Sequence, residues 1–185
     1  MKRKRLMGLI TAAALCMGML LPDILNRLVP ELDQEKMQPV LDQILAEENR
    51  YVAEYGGILF PGEEEVLASL SGRYRLFIVS NCQDGYIEAF FQAHGLGKYF
   101  ADFENPGRTG LPKADNIALV VERNGLKRPL YIGDTQGDCN AAAKSGVPFL
   151  HAAYGFGQID RPVPRAETFR DIPAAVAALE AEAPT

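Results

Sequence analysis

Asp134 and Asp138 are the residues of this chain best placed for chemistry, within Gly133-Asp134-Thr135-Gln136-Gly137-Asp138. The apolar Leu130-Tyr131-Ile132 before them reads as a short buried strand, stopped by the Gly-Asp pair. Residues 140–144 read as a helix ended by Gly146, and residues 147–150 start a second strand. Strand, acidic turn, helix and strand form a parallel crossover unit. Sites in open parallel sheets lie beyond the carboxyl ends of strands. Asp134 falls at such an edge, with Asp138 about one helical turn further on. Two carboxylates so spaced can face one point, and a hard cation such as Mg²⁺ takes oxygen ligands of this kind. The same residues admit a plainer reading, in which Asp134 only caps the next helix and Asp138 is solvated.

Two further clusters stand upstream. Leu76-Phe77-Ile78-Val79-Ser80-Asn81 is an apolar strand that ends in Ser80, and Lys113 opens a helix after Gly110-Leu111-Pro112. With residues 131–157, these resemble, in order, the second, third and fourth motifs of the haloacid dehalogenase (HAD) phosphohydrolase superfamily. From about Thr11 onward the chain is similar to its phosphoglycolate-phosphatase-like members with a helical cap. The resemblance implies an α/β fold: a Rossmann-like parallel sheet with helices on both faces, plus a small helical cap on the N-terminal side. It also implies a Mg²⁺-dependent hydrolase of small phosphate monoesters.

The residues suit that chemistry. A phosphoryl-transfer site must neutralise a charged phosphate and hold an attacking group in line with the leaving oxygen. Ser80 can offer a hydroxyl and nearby backbone N–H groups, and Asn81 another donor. Lys113 brings a point charge at a helix start, where N–H groups are partly positive. Asp134 would hold Mg²⁺ directly or through water, with Asp138 behind it. Taken singly, Ser80 is also a plausible strand-end cap and Lys113 a solvated surface lysine.

The family's first motif, D-x-D after a hydrophobic strand, is missing: no D-x-D occurs in the 185 residues. In the family its first Asp is the nucleophile and its second the general acid and base. Asp23 is no substitute, because Ile24 and Leu25 follow it. The chain therefore reads as a phosphatase that lacks its first ~20–30 residues, about one strand and loop, and is inactive as it stands. The absent strand would be central, between residues 76–80 and 130–132. Its loss predicts two strand edges that close together, are filled by other chain, or stay unpaired at ~1–3 kcal/mol per buried group. A second reading is a non-catalytic module that binds phosphate and Mg²⁺.

Composition agrees with a folded protein. Hydrophobic residues make up 48% of the chain, which argues against disorder. The net charge of −5 gives no reason to expect nucleic-acid binding. Cys16, Cys82 and Cys139 are widely spaced and suggest reduced thiols in the cytoplasm. Lys2 to Arg5 and the apolar run after them have a signal-peptide layout, but no small-x-small cleavage site follows. The run is also short for a membrane span, so residues 1–22 read better as the start of the cap than as an export segment.

The positioning elements follow from periodicity and punctuation. An apolar stripe from Met37 to Tyr55 predicts a helix that starts near residue 37, with Pro39 in its first turn and Gly56-Gly57 after it. A short helix is expected over residues 63–71, completing a cap over 1–72, with the α/β core over 73–185. In the core, residues 75–79 and 99–104 read as strands. Residues 84–94, 113–124 and 171–182 read as helices, and 105–112 and 156–167 as loops. Neither His94 nor His151 is marked as an acid or base.

Overall fold

The computed structural model describes Met19, residues 21–31 and residues 33–182. Most of the 1–22 segment, read above as cap start or export signal, lies outside the described residues, as does Cys16.

Two helices come first, α1 (Leu21–Leu28) and α2 (Gln34–Tyr55). The second begins earlier than its stripe suggested. Asp33 caps it, its side chain accepting the Glu35 N–H at 3.0 Å. Pro39 is therefore inside the helix rather than in its first turn, where it removes the N–H that would bond to the Glu35 carbonyl. The apolar stripe marked only the packed part: Met37 and Leu41 are buried, and α2 lies along a later helix, α4 (Tyr86–His94).

Helix α3 (Glu63–Ser71) has the expected bounds, with three glutamates in its first turn that complement the partly positive helix start. Its buried Val66 and Leu70 pack with Ala166 and with Ile172 of the last helix, α8 (Ile172–Glu182). The boundary expected after residue 72 thus follows a helix whose buried face is shared with the end of the chain.

Parallel strands form the centre. β1 (Leu76–Val79) pairs with β2 (Phe100–Glu104), and β3 (Tyr131–Gly133) pairs with β4 (Phe149–Ala152), which pairs with β5 (Arg165–Ala166). Among the described residues these are two separate sheets, because β1 and β3 are not joined by ladder bonds. Both line one cleft of about 1500 Å³. Among the described residues, the backbone of β1 is bridged to β3 by a side chain, the Tyr131 hydroxyl, which donates to the Val79 carbonyl at 2.8 Å. Apolar packing supplies the rest of the join. Leu76 and Ile132 pack on the cluster of α3 and α8. Val79 and Tyr131 pack on a second cluster with Ile117 of α6 (Lys113–Arg123) and Ala141 of α7 (Gln136–Lys144). Tyr131 and Ile132 are successive strand residues and so point to opposite faces, which puts helices on both sides.

Two expected loops contain short elements. Asn105 caps a one-turn helix, α5 (Pro106–Thr109), with proline at its start, and β5 interrupts the 156–167 stretch. Among the described residues, no helix is long and apolar enough to cross a membrane.

Candidate active site

The ends of β1 and β3, together with the start of α6, bring the five candidate residues to one place. Ser80, Asn81, Lys113, Asp134 and Asp138 all line the cleft between the sheets. Ser80 directly follows β1, and its N–H donates to the Glu104 carbonyl at 3.2 Å, which extends the β1–β2 ladder by one bond. Lys113 is the first residue of α6. The turn before it is held by buried Asn116, which donates to the Leu111 carbonyl at 2.9 Å and accepts from the Thr109 hydroxyl at 2.8 Å. Lys113 is thus anchored from its own helix.

The acidic turn differs from the plainer reading. The helix after it starts at Gln136, not near residue 140, and its cap is Thr135 rather than Asp134. Thr135 Oγ1 accepts the Asp138 N–H at 3.1 Å, while Asp138 Oδ2 accepts the Thr135 N–H at 3.0 Å, a reciprocal capping box. Asp138 is therefore buried, at 4% exposure, rather than solvated. Its Oδ2 also takes the Thr135 hydroxyl at 2.8 Å and the Asp134 N–H at 3.2 Å. Its Oδ1 accepts from Lys113 Nζ at 2.5 Å. Burial pushes the Asp138 carboxyl up, but Lys113 and Thr135 together hold it below the usual carboxylate range. Asp138 is thereby committed to fixing Lys113 and the turn.

Asp134 is held from the other side. Its Oδ2 accepts the Phe156 N–H at 2.8 Å. A Cβ at Gly155 would lie 2.3 Å from the Asp134 Cβ, so only glycine lets this loop close on the carboxylate. A Cβ at Gly133 would likewise meet Asp138 at 2.6 Å. Two acidic side chains therefore sit between glycines with little room to turn. Thr135, Gly155 and the Phe156 N–H were not singled out from sequence, although T-x-x-D resembles a capping box and Gly155 and Gly157 flank Phe156.

The donors suit a hard cation in kind. Mg²⁺ is commonly bound by one or two carboxylates plus water and phosphate oxygens. Asp134 lines the cleft and Asp138 supports its backbone. Among the described residues, no group of three or more His, Cys, Asp or Glu is arranged to hold a metal alone.

The loop after β1 is tied to helix α2. Gln83 donates to Glu48 Oε2 at 2.7 Å, and Asn49 donates to the Asp84 carbonyl at 2.9 Å. Burial pushes the Cys82 thiol up to about 11. His151 is buried on β4, and His94 accepts the Gly57 N–H at 3.0 Å.

The core is thus a parallel α/β fold with polar and acidic residues gathered at its strand ends. Residues 11–152 match the model of the haloacid dehalogenase-like hydrolases, and the chain belongs to that family. It is similar to phosphoglycolate phosphatase of Escherichia coli (strain K12), 32% identical over 139 residues, covering 64% of this chain and 54% of that protein. The chain spans about half the length of the curated relatives it matches. A HAD-superfamily hydrolase structure from Geobacter sulfurreducens shares 26% identity at a TM-score of 0.56, over 63% of this chain and 60% of the other. A haloacid dehalogenase-like hydrolase from Streptococcus pneumoniae shares the fold at a TM-score of 0.74 and 20% identity, over 89% and 80% of the two chains.

Proposed function

We propose that this chain is the phosphate- and Mg²⁺-binding body of a phosphoglycolate-phosphatase-like enzyme that hydrolyses small phosphate monoesters in the cytoplasm. The observation that carries the reading is the convergence of Ser80, Asn81, Lys113 and Asp134 on one cleft, with Lys113 fixed by Asp138. Ser80 and Asn81 supply neutral donors to phosphate oxygens, and Lys113 supplies charge. The start of α6 adds N–H groups. Mg²⁺ held by Asp134, with Asp138 behind it, would neutralise charge on the phosphate oxygens. Helices α1 and α2 act as the cap, held over the cleft mouth through Glu48 and Asn49. The free thiols of Cys82 and Cys139 accord with a reducing compartment.

As it stands the chain does not turn over substrate. Covalent catalysis needs a nucleophile, and acid–base help is worth ~10²–10⁴-fold. The sequence holds no D-x-D to supply either group, and the cleft between β1 and β3 supports the view that a strand carrying it belongs there. The test is p-nitrophenyl phosphate hydrolysis by this chain and by a fusion carrying the D-x-D strand of a close relative. The fusion should show Mg²⁺-dependent turnover that Lys113→Ala or Asp134→Asn largely abolishes. Equal rates for the fused and unfused chains would refute the assignment of the missing nucleophile.

The missing motif also favours a second reading, a non-catalytic module that binds phosphate and Mg²⁺. Calorimetric titration with both tests it. Absence of heat, with no change on Asp134→Ala, would sink that reading.

A further inference from the structure

We propose that this site selects phosphate esters whose leaving group carries hydroxyl or ammonium groups, and disfavours those with a second anion. The proposal rests on the phosphomonoester reading above, and its basis is how charge divides along the cleft. Arg73, Arg75, Lys127 and Arg128 line it just before β1 and β3, at the amino ends. A four-residue strand, ~13 Å of chain, separates them from the carboxyl ends. The described charged residues that line the cleft at the carboxyl ends are Glu48, Glu63, Asp134, Asp138 and Lys113. Lys113 is already bonded to Asp138. A phosphate would draw on Lys113 and the helix start, and among the described residues that line this end of the cleft no other cation remains for a second anion.

Glu48 and Glu63 are outside the phosphate-binding set, and both are held in place. Gln83 keeps the Glu48 carboxylate at 2.7 Å, three residues from Ser80. Tyr86 lies within the field of both Glu48 and Cys82. Glu63 accepts the Phe60 N–H at 3.0 Å. It approaches the site around Tyr154, a phenol that senses both Glu63 and Asp134. The leaving-group side of the cleft is thus bordered by two fixed carboxylates from α2 and α3. A hydroxyl can donate to them and an ammonium can pair with them. A leaving-group carboxylate would stand against them unpaired, and phosphoglycolate, the ester in the relatives' name, has one.

The test is calorimetric titration of the full chain in Mg²⁺ buffer with four probes: inorganic phosphate, O-phosphoethanolamine, glycerol 2-phosphate and 2-phosphoglycolate. One like charge at ~6 Å in a wet cleft is worth roughly a 3- to 10-fold weakening. So 2-phosphoglycolate should bind roughly 3- to 10-fold more weakly than glycerol 2-phosphate, and O-phosphoethanolamine at least as tightly as the latter. The substitutions E48Q and E63Q keep an acceptor for Gln83 and for the Phe60 N–H, and together should bring the ratio of the two Kd values toward one. If inorganic phosphate binds but 2-phosphoglycolate binds as tightly as glycerol 2-phosphate or tighter, the inference is overturned and the phosphomonoester reading stands. If neither phosphate nor any ester binds, that reading falls and the inference with it.

Discussion

Replacing Lys113 by methionine tests the site through its stability rather than its activity. The Lys113 and Asp138 side chains are 14% and 6% exposed and 2.5 Å apart. Removing one partner of such a pair leaves an uncompensated buried charge, at about 3–5 kcal/mol. That is a large share of the ~5–15 kcal/mol that holds a domain together. Methionine keeps the apolar stem of Lys113, so the loss comes from the charge. The pH dependence gives the assay its direction. In the native chain the Asp138 carboxyl titrates below its ordinary value. Its contribution is complete above the unfolded carboxylate pKa of about 3.9, and is lost as pH falls through the lower folded value. In Lys113→Met burial is opposed by hydrogen bonds from Thr135 and the Asp134 N–H but by no positive charge at that oxygen, so Asp138 takes up its proton at a higher pH. Urea denaturation should therefore show the largest difference between the two proteins near neutral pH, and one that shrinks as pH falls through the value at which Asp138 of Lys113→Met takes up its proton. Adding Asp138→Asn to Lys113→Met should restore part of the loss, because the stranded charge is gone. A loss under about 1 kcal/mol at pH 7 that does not change with pH would refute the argument.

Three further outcomes follow from the same geometry. Gly155→Ala puts a Cβ against the Asp134 side chain; it should cost about 1–3 kcal/mol in chemical denaturation and weaken any Mg²⁺ binding measured by titration. Tyr131→Phe removes the hydroxyl bond to the Val79 carbonyl and should lower stability by roughly 1 kcal/mol, while ultraviolet titration should show one fewer tyrosine that resists ionisation, since burial and then the Asp138 and Asp134 charges hold the Tyr131 phenol above its usual range. With its thiol raised to about 11, half-buried Cys82 should react with a disulfide reagent at pH 8 far more slowly in the native chain than in urea, and equal rates would contradict the raised thiol.

Much of this was legible because the chain is sharply punctuated. The 63–71 helix was readable from the turn at Pro61-Gly62 and the charges that follow it. β1 and β2 appear within a residue of their expected starts, as apolar runs bounded by polar residues. The start of α7 was not legible, because Thr135, Gly137 and Asp138 are also turn formers and only their mutual hydrogen bonds make them a helix end. The start of α2 was missed because Glu35 and Lys36 are exposed and leave no apolar signature before Met37. All five candidate residues line the cleft, yet the use made of Asp138 was hidden, because its partner Lys113 is 25 residues away in sequence. β5 is two residues long and carries too little pattern to be read at all.

The divided sheet affects how this protein behaves in a crowded solution. Strands that end a sheet in soluble proteins usually carry a lysine, a proline or a bulge that keeps other chains from adding on. The strand at the cleft on one side is Leu76-Phe77-Ile78-Val79, without a charge or a proline, and Tyr131-Ile132-Gly133 faces it from the other. Both have the composition of interior strands while presenting backbone donors and acceptors that no ladder among the described residues occupies. Such a pair is a template for any extended apolar segment, including one from a second molecule that has opened locally. Recovery of soluble protein should therefore fall steeply as concentration rises during refolding, and a lysine in place of Phe77 should reduce that dependence even where it leaves the folded state no more stable.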